Sequence, residues 1–287
     1  MDRVKDQVAN MGVAYSDIRP MRSKDGISLF RVSGAGDSFV LKFFENESDR
    51  REIENYDILR SLDVPTMSIF AQTDCCLLME DIEHSGIHRL GTEFDLNDAD
   101  VARAVAGWYK ILHNKGKSFL EKYRQTLYSE MDLVTLENIE FVKSRTSTGG
   151  YPVWKKLEDN FNLIRSCIDG TKKTLTYNDF YYTNLVVAKD KSCAFMFDYH
   201  LLGRGCVYSD IRNVCSSLGP DAKAAFLSAY GLYDKNEAML DDVVSVIVTL
   251  YFACKKRIFP PWANPLLEAL NGDFLEKINI LMNSMKM

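Results

Sequence analysis

Between residues 175 and 198 the chain breaks into short apolar runs, each bounded by an oxygen-bearing side chain: L-T-Y-N-D-F-Y-Y-T-N-L-V-V-A, then the turn K-D-K-S, then A-F-M-F-D. Short apolar runs flanked by turn residues read as strands, and here they interrupt a stretch that otherwise shows helical periodicity. The pattern puts Asp179 after one strand, Asn184 just before the next, and Asp198 at the end of a third. Strand ends joined by a tight hairpin can converge, so this island constrains the fold and marks a site.

Singly, each of these residues would be read as satisfying turn backbone or ending a strand. Their order and spacing together point to phosphoryl transfer, which needs a carboxylate beside the attacking hydroxyl and oxygen ligands holding magnesium against phosphates. In that reading Asp179 orients the hydroxyl or accepts its proton, and Asn184 and Asp198 hold the metal.

Upstream, strands are expected at 28–33, 39–44 and 76–79 with a helix at 49–62, which makes a small sheet-based lobe. After Asp81 the pattern turns helical. Val101, Val105, Trp108, Tyr109 and Leu112 recur at helical spacing up to Gly116, and further helices are expected at 133–145, 154–168, 221–230, 240–255 and 264–282.

Composition limits the function classes. With 287 residues, 46% hydrophobic and 26% charged, the chain suits one large domain or two lobes. A net charge of -5 without a long basic run gives no footprint for nucleic acid. The most apolar stretch, 243–253, is interrupted by Ser245 and Thr249 and falls far short of the roughly 20 residues of a membrane span. The charged start MDRVKDQVAN lacks the apolar core of a secretory signal, so a cytoplasmic location is expected. Seven cysteines, with Cys75 next to Cys76 and no C-x-x-C, read as reduced, mostly buried thiols.

The motif resembles that of the aminoglycoside phosphotransferase and choline kinase family, relatives of protein kinases whose catalytic segment runs H-[GN]-D-x-x-x-x-N and then strand-I-D. Asn178-Asp179 looks like the choline kinase version, whereas Gly203-Arg204 and Asp210 follow Asp198 as in the aminoglycoside kinases. Tyr177 stands where the family usually has a histidine that supports the loop. The resemblance covers most of the chain and is strongest over 175–214. It implies an α+β, bilobal protein-kinase-like fold, with a small antiparallel-sheet N-lobe at 1–82 and a larger, mainly helical C-lobe at 83–287. It also implies an enzyme that uses Mg2+ and ATP or GTP to phosphorylate a hydroxyl of a small acceptor, cationic acceptors included. Aminoglycosides, choline, ethanolamine, other amino-alcohols and sugars all stay open, and so does an antibiotic-resistance role. A non-catalytic nucleotide-binding module is the alternative of another class. A protein kinase fits worse, because Asp198 is followed by Tyr-His rather than Phe-Gly and no A-P-E segment follows.

Such a nucleotide site needs a cation, and Lys42 lies inside the strand F-V-L-K-F-F, on one face with Val40 and Phe44. At about 100° per residue, Glu52 falls among Tyr56 and Leu59 on the apolar face of the next helix, while Glu54 points away. A carboxylate there is costly unless paired, and Lys42 is its natural partner. S-G-A-G-D at 33–37 reads as a hairpin turn rather than a phosphate loop. By position, the loop from Ser23 to Ser28 would cover the phosphates through backbone N–H groups and the Ser28 hydroxyl. Met79 would wall the base pocket, with the backbone of Glu80 to Ile82 bonding the base edge. For the acceptor, His200, Tyr181 and Trp262 are the candidates, with Tyr182, Asp241, Asp242 and Glu268 as further ones. The oligomeric state is not encoded in any of these features.

Overall fold

An Asp-Gly pair starts the architecture. Asp25 and Gly26 have φ of 51° and 82°, the left-handed pair that a two-residue hairpin turn requires. They join β1 (Asp17–Lys24) to β2 (Ile27–Gly34). The next hairpin leads to β3 (Asp37–Phe44) with Gly34 opposite Asp37, so S-G-A-G-D is a turn, with Ala35 outside the described residues. The computed structural model describes residues 1–34, 36–123 and 127–285.

The strands β4 (Ile69–Gln72) and β5 (Cys76–Glu80) complete an antiparallel sheet of order β1-β2-β3-β5-β4. Alternation along β3 splits its side chains. Leu41 and Phe43 join a buried cluster with Val32 and Leu78, covered by Val4 and Val8 of α1 (Asp2–Asn10). Neither α1 nor β1 was expected. The charges of α1 mask its i, i+4 valine pair, and β1 exposes most of its side chains, so neither has a conspicuous apolar pattern. Lys42 belongs to the other parity of β3. The helix α2 (Arg51–Ser61) buries Glu52, Ile53, Asn55, Tyr56 and Leu59, as the helical wheel requires, and leaves Glu54 exposed.

The island at 175–198 has the expected strands and two more pairings. After β6 (His88–Leu90) come β7 (Thr174–Thr176), β8 (Leu185–Ala188), β9 (Ala194–Met196) and β10 (Gly203–Gly205). Here β8 pairs with both β6 and β9, and β7 pairs with β10.

The chain divides into two compact units. One comprises Met1–Gly116, Tyr177–Leu202 and Asn213–Gly231, and the other Lys117–Thr176, Gly203–Arg212 and Leu232–Met287. The helix α3 (Ala99–Lys122) does not stop at Gly116 as expected. Its apolar stripe continues to buried Phe119, and burying such a ring outweighs the roughly 1 kcal/mol that one helical glycine costs.

Within the second unit, α4 (Leu136–Thr146) is capped by the Thr135 hydroxyl. The helix expected at 154–168 breaks at Asn160 into α5 (Pro152–Asp159) and α6 (Phe161–Gly170). The unexpected α7 (Val207–Ser217) follows β10 and begins in this unit, and α8 (Pro220–Tyr230), which belongs to the first unit, matches its expectation closely. The apolar stretch at 243–253 lies in α9 (Lys235–Lys255), which starts earlier than expected because Asp234 caps it. The helix expected at 264–282 is α10 (Asn264–Glu268), a π turn at Leu270–Phe274, and α11 (Leu275–Ser284). Trp154, Ile247, Leu250, Phe274 and Ile278 anchor the core of this unit. Among the described residues no helix is long and apolar enough to cross a membrane.

Asp241, weighed as an acceptor residue, is 2% exposed and accepts from Arg212 Nε at 2.5 Å. Its carboxylate is therefore committed to an ion pair within the unit. Breaking such a pair strands a buried charge, at a cost of about 3–5 kcal/mol that the partial exposure of Arg212 moves to the low end. Asp241→Ala should accordingly lower the unfolding midpoint in urea markedly, whereas Asp242→Ala should stay within about 0.5 kcal/mol of the parent protein.

Candidate active site

Lys42 Nζ lies 2.8 and 2.7 Å from the two Glu52 oxygens and 3.1 Å from Asp198 Oδ1. Lys42 is 7% exposed and Glu52 not at all, so the sheet and α2 hold this pair out of water. Burial alone would pull the lysine down, but the charges of Glu52 and Asp198 more than restore it, and its pKa is raised. Burial pushes Glu52 up, with Asp198 adding to the effect and Lys42 opposing it. The cluster holds one firm cation between two carboxylates.

Asp198 has a second partner, His200, whose Nδ1 is 3.0 Å from Oδ1. Burial would raise the Asp198 carboxyl, yet the His200 bond and the Lys42 ammonium hold it well below the usual carboxylate range. The same bond raises His200 against its own burial. Asp179 behaves oppositely. Burial raises it, and the Asp198 charge adds to that, while His200 and an Asn184 hydrogen bond hold it back. Two aspartates of one site are thus driven apart, one toward a permanent anion and one toward a proton acceptor.

Asn184 Nδ2 donates to Asp179 Oδ2 at 2.8 Å and to its carbonyl at 3.2 Å. Spending the amide nitrogen there turns Oδ1 the other way, where it can act as an oxygen ligand. Among the described residues no three or more His, Cys, Asp or Glu side chains are grouped to hold a metal. Magnesium bound with phosphates needs only one or two protein oxygens, because phosphate and water complete its shell. The ionised Asp198 carboxylate and the Asn184 amide oxygen fit that demand.

Backbone geometry aims these groups. Asn178 and Asp198 have φ of 66° and 64°, a left-handed conformation that Asn and Asp adopt more readily than other side chains. Asn178 Nδ2 donates to the Leu201 carbonyl at 3.0 Å, and Phe197 N–H donates to the Asn184 carbonyl at 3.0 Å. Tyr177 is fully buried and its hydroxyl donates to the carbonyl of Phe197, the residue before Asp198. The tyrosine therefore links the loop to the metal strand, a supporting role at a position where the resemblance implied histidine.

Sequence reasoning missed the scaffold around Tyr177. Four rings stand edge to face: Tyr56 and Tyr199 at 4.7 Å, Tyr199 and Tyr177 at 5.9 Å, Tyr177 and Trp108 at 5.8 Å. They connect α2, the segment after Asp198, the loop and α3. Asn55 Nδ2 adds a 2.7 Å bond to the Tyr199 carbonyl. A helical wheel of α2 places Asn55 and Tyr56 near Glu52, which was the available signal. Asp81 was also missed. It is 3% exposed and accepts from Arg31 at 2.8 Å and Ser38 at 2.6 Å, with His84 Nδ1 at 2.8 Å, pinning the end of β5 to β2 and β3.

The remaining expected residues sit as follows. Ser28 is buried and shares a 2.9 Å bond with Ser23. Met79 is buried with its sulfur 3.8 Å from the Tyr56 hydroxyl. Glu80 accepts from Ser85, and Ile82 is buried at the start of a 3-10 turn. Tyr181 is 48% exposed, its ring 4.6 Å from that of Tyr182. Trp262 is 60% exposed and belongs to the second unit, as do Asp210, fully buried, and Arg204, paired with Asp132. The first unit therefore brings together Lys42, Glu52, Asp179, Asn184, Asp198 and His200.

No family model matches the chain, and no curated protein sequence matches it. Solved structures do match in fold. The choline kinase LicA from Streptococcus pneumoniae superposes with a TM-score of 0.62 at 12% identity, over 97% of this chain and 98% of that one. The macrolide 2'-phosphotransferase MphH from Brachybacterium faecium gives 0.60 at 14% identity, over 96% and 98%. A ternary complex of streptomycin, ATP and APH(2")-IIa gives 0.61 at 16% identity, over 95% and 96%. The chain has the protein-kinase-like fold these structures share.

Two measurements test the geometry. Tyr177→Phe removes a buried donor and should cost about 1–3 kcal/mol by chemical denaturation. Asp81 is the acid-sensitive clasp. Burial would raise it, but Ser38, Arg31 and His84 hold it below its ordinary value of about 3.9. Its contribution is therefore complete above that ordinary value and is lost as pH falls through the lower folded value. Asp81→Asn should be less stable near neutrality and lose less further stability on acidification, followed by circular dichroism from neutral to acid.

Proposed function

We propose that the protein is a small-molecule kinase that transfers the γ-phosphoryl group of ATP or GTP to a hydroxyl of a small acceptor. The observation that carries this reading is the single cluster in which Lys42 bridges Glu52 and Asp198 while Asn184 orients Asp179. Each of these groups has a task in phosphoryl transfer, and that chemistry rests on alignment and charge stabilisation.

In the proposed mechanism residues 1–82 form the nucleotide-binding lobe and 83–287 carry the catalytic loop and acceptor site. Met79 would wall the base, and the backbone of 80–82 would bond its edge. The Ser23–Ser28 hairpin would lie over the phosphates, with Lys42, fixed by Glu52, bonding them. Asp198 and Asn184 would hold a magnesium ion, which supplies neutralising charge for the phosphates when bound. Asp179, raised by burial, would accept the hydroxyl proton as the oxygen attacks. Tyr181 and His200 would meet the acceptor beside Asp179, and Trp262 is a separate candidate for acceptor contact. LicA and MphH are by name a choline kinase and a macrolide phosphotransferase, which supports small hydroxyl compounds, amino-alcohols and antibiotics included, as the acceptor class. The nucleotide donor is cytoplasmic, and we place the protein there.

Thermal shift with ATP and with GTP, each with and without magnesium, tests the donor half. Stabilisation by at least one nucleotide is expected, and Asp198→Asn should abolish its magnesium dependence. A coupled ADP-release screen over amino-alcohols, sugars, aminoglycosides and macrolides tests the acceptor half. Asp179→Asn should lower kcat by about 10²–10⁴-fold with nucleotide affinity retained. Full turnover in that variant would remove Asp179 from the mechanism, and nucleotide binding without turnover on any acceptor would favour a non-catalytic module.

A further inference from the structure

A second concavity lies within the first unit, walled by α3 and by the β8–β9 hairpin. It encloses about 780 Å³, inside the roughly 300–1,000 Å³ range of small-molecule sites. Helical spacing explains the α3 wall. Asp100, Arg103, Ala104, Gly107, Trp108 and Ile111 recur on one face, and the smallest of them leave the hollow. A side chain at Gly107 would meet nothing within 4 Å of its Cβ. Opposite stand Ala194 and Phe195, both buried, with Cys193 exposed at the rim.

None of the residues assigned to phosphoryl transfer lines this cavity. Its chemistry also differs from theirs. The walls are aromatic and aliphatic, and the His88 ring stands edge-on to Phe195 at 5.2 Å. His88 Nδ1 is buried, 3.6 Å from a Glu80 oxygen. The rim carries Asp100 and Asp190 against Arg103 and Lys191, two charges of each sign. The four are engaged locally: Arg103 with Asp100, Lys191 with Asp98, and Asp190 with Ser192. With Asp98 counted as the partner of Lys191, both cations are held in ion pairs and only Asp190 is left over, so the rim presents no cluster of one sign, and its apolar walls reward a flat, uncharged body.

We propose that this cavity is a second binding site, for an uncharged planar heteroaromatic molecule, separate from the nucleotide and acceptor sites. The cavity does not depend on the kinase reading, because none of its lining residues is given a role in phosphoryl transfer; Trp108 touches that loop only by packing on Tyr177.

Indole is a suitable probe on the full-length protein, followed by saturation-transfer NMR and by the rate of Cys193 alkylation with iodoacetamide, read by peptide mass spectrometry. Binding below about 1 mM is expected, with slower Cys193 alkylation, no competition from ATP, and at least tenfold weaker binding of the charged analogues indole-3-acetate and tryptamine. Gly107→Leu fills the hollow and should abolish binding while improving helix propensity. Cys193→Phe, which narrows the rim from the hairpin side, is the second blocking variant and is scored in the same way by NMR. Loss of binding in whichever of the two folds supports the site. Indole binding unchanged in a folded blocking variant, binding displaced by ATP, tighter binding of a charged analogue, or no binding up to about 1 mM would each overturn it.

Discussion

A lysine that is almost wholly out of water can stay charged only if carboxylates surround it, and Lys42 meets that condition from two directions. One carboxylate comes from a helix and one from a strand end more than a hundred residues later. This requirement fixes the parity of β3, because a one-residue slip would send Lys42 into the apolar cluster under α1. It also fixes the rotation of α2, because Glu52 is acceptable on a buried face only with its partner there. The sheet register, the helix orientation and the position of Asp198 therefore express one electrostatic constraint.

The same cluster sets the electrostatic contrast between the two aspartates. Asp198 borrows positive charge from Lys42 and His200 and stays ionised, whereas Asp179 is half-buried near that anion with an amide as its hydrogen-bond partner. Lys42 thus shapes the chemistry of a residue it does not bond. Its effect reaches Asp179 through the charge it stabilises on Asp198.

Much of this was legible in the sequence, and what was hidden had physical causes. The Lys42–Glu52 pair followed from two periodicities, of two and of 3.6 residues, applied to neighbouring segments. Asp179, Asn184 and Asp198 followed from their places at strand ends. Several elements escaped, the short strands β4, β6 and β10 among them. The valines of α1 are diluted by charge, β1 lies at a sheet edge with few buried side chains, and α7 was hidden behind a motif read for its chemistry rather than its periodicity. The breaks at Asn160 and around 270 also lie within continuous apolar patterns, where packing rather than propensity decides. Asp241 was weighed as an acceptor residue because its partner Arg212 lies in another helix, a relation that no local window contains. Tyr177 was read as a departure from a pattern. Its hydroxyl bond to the Phe197 carbonyl instead gives the departure a supporting function.

The edge-to-face column of Tyr56, Tyr199, Tyr177 and Trp108 has a consequence for how this interior could change over time. Each ring is held by the shape of the next, and the four belong to four different segments, so no position in the column varies independently. A smaller ring at one place leaves a void that only a larger neighbour can fill, and interiors packed to crystal-like density absorb little else. Histories of substitution here should run in compensating pairs, with the volume of the column conserved while the identities within it drift.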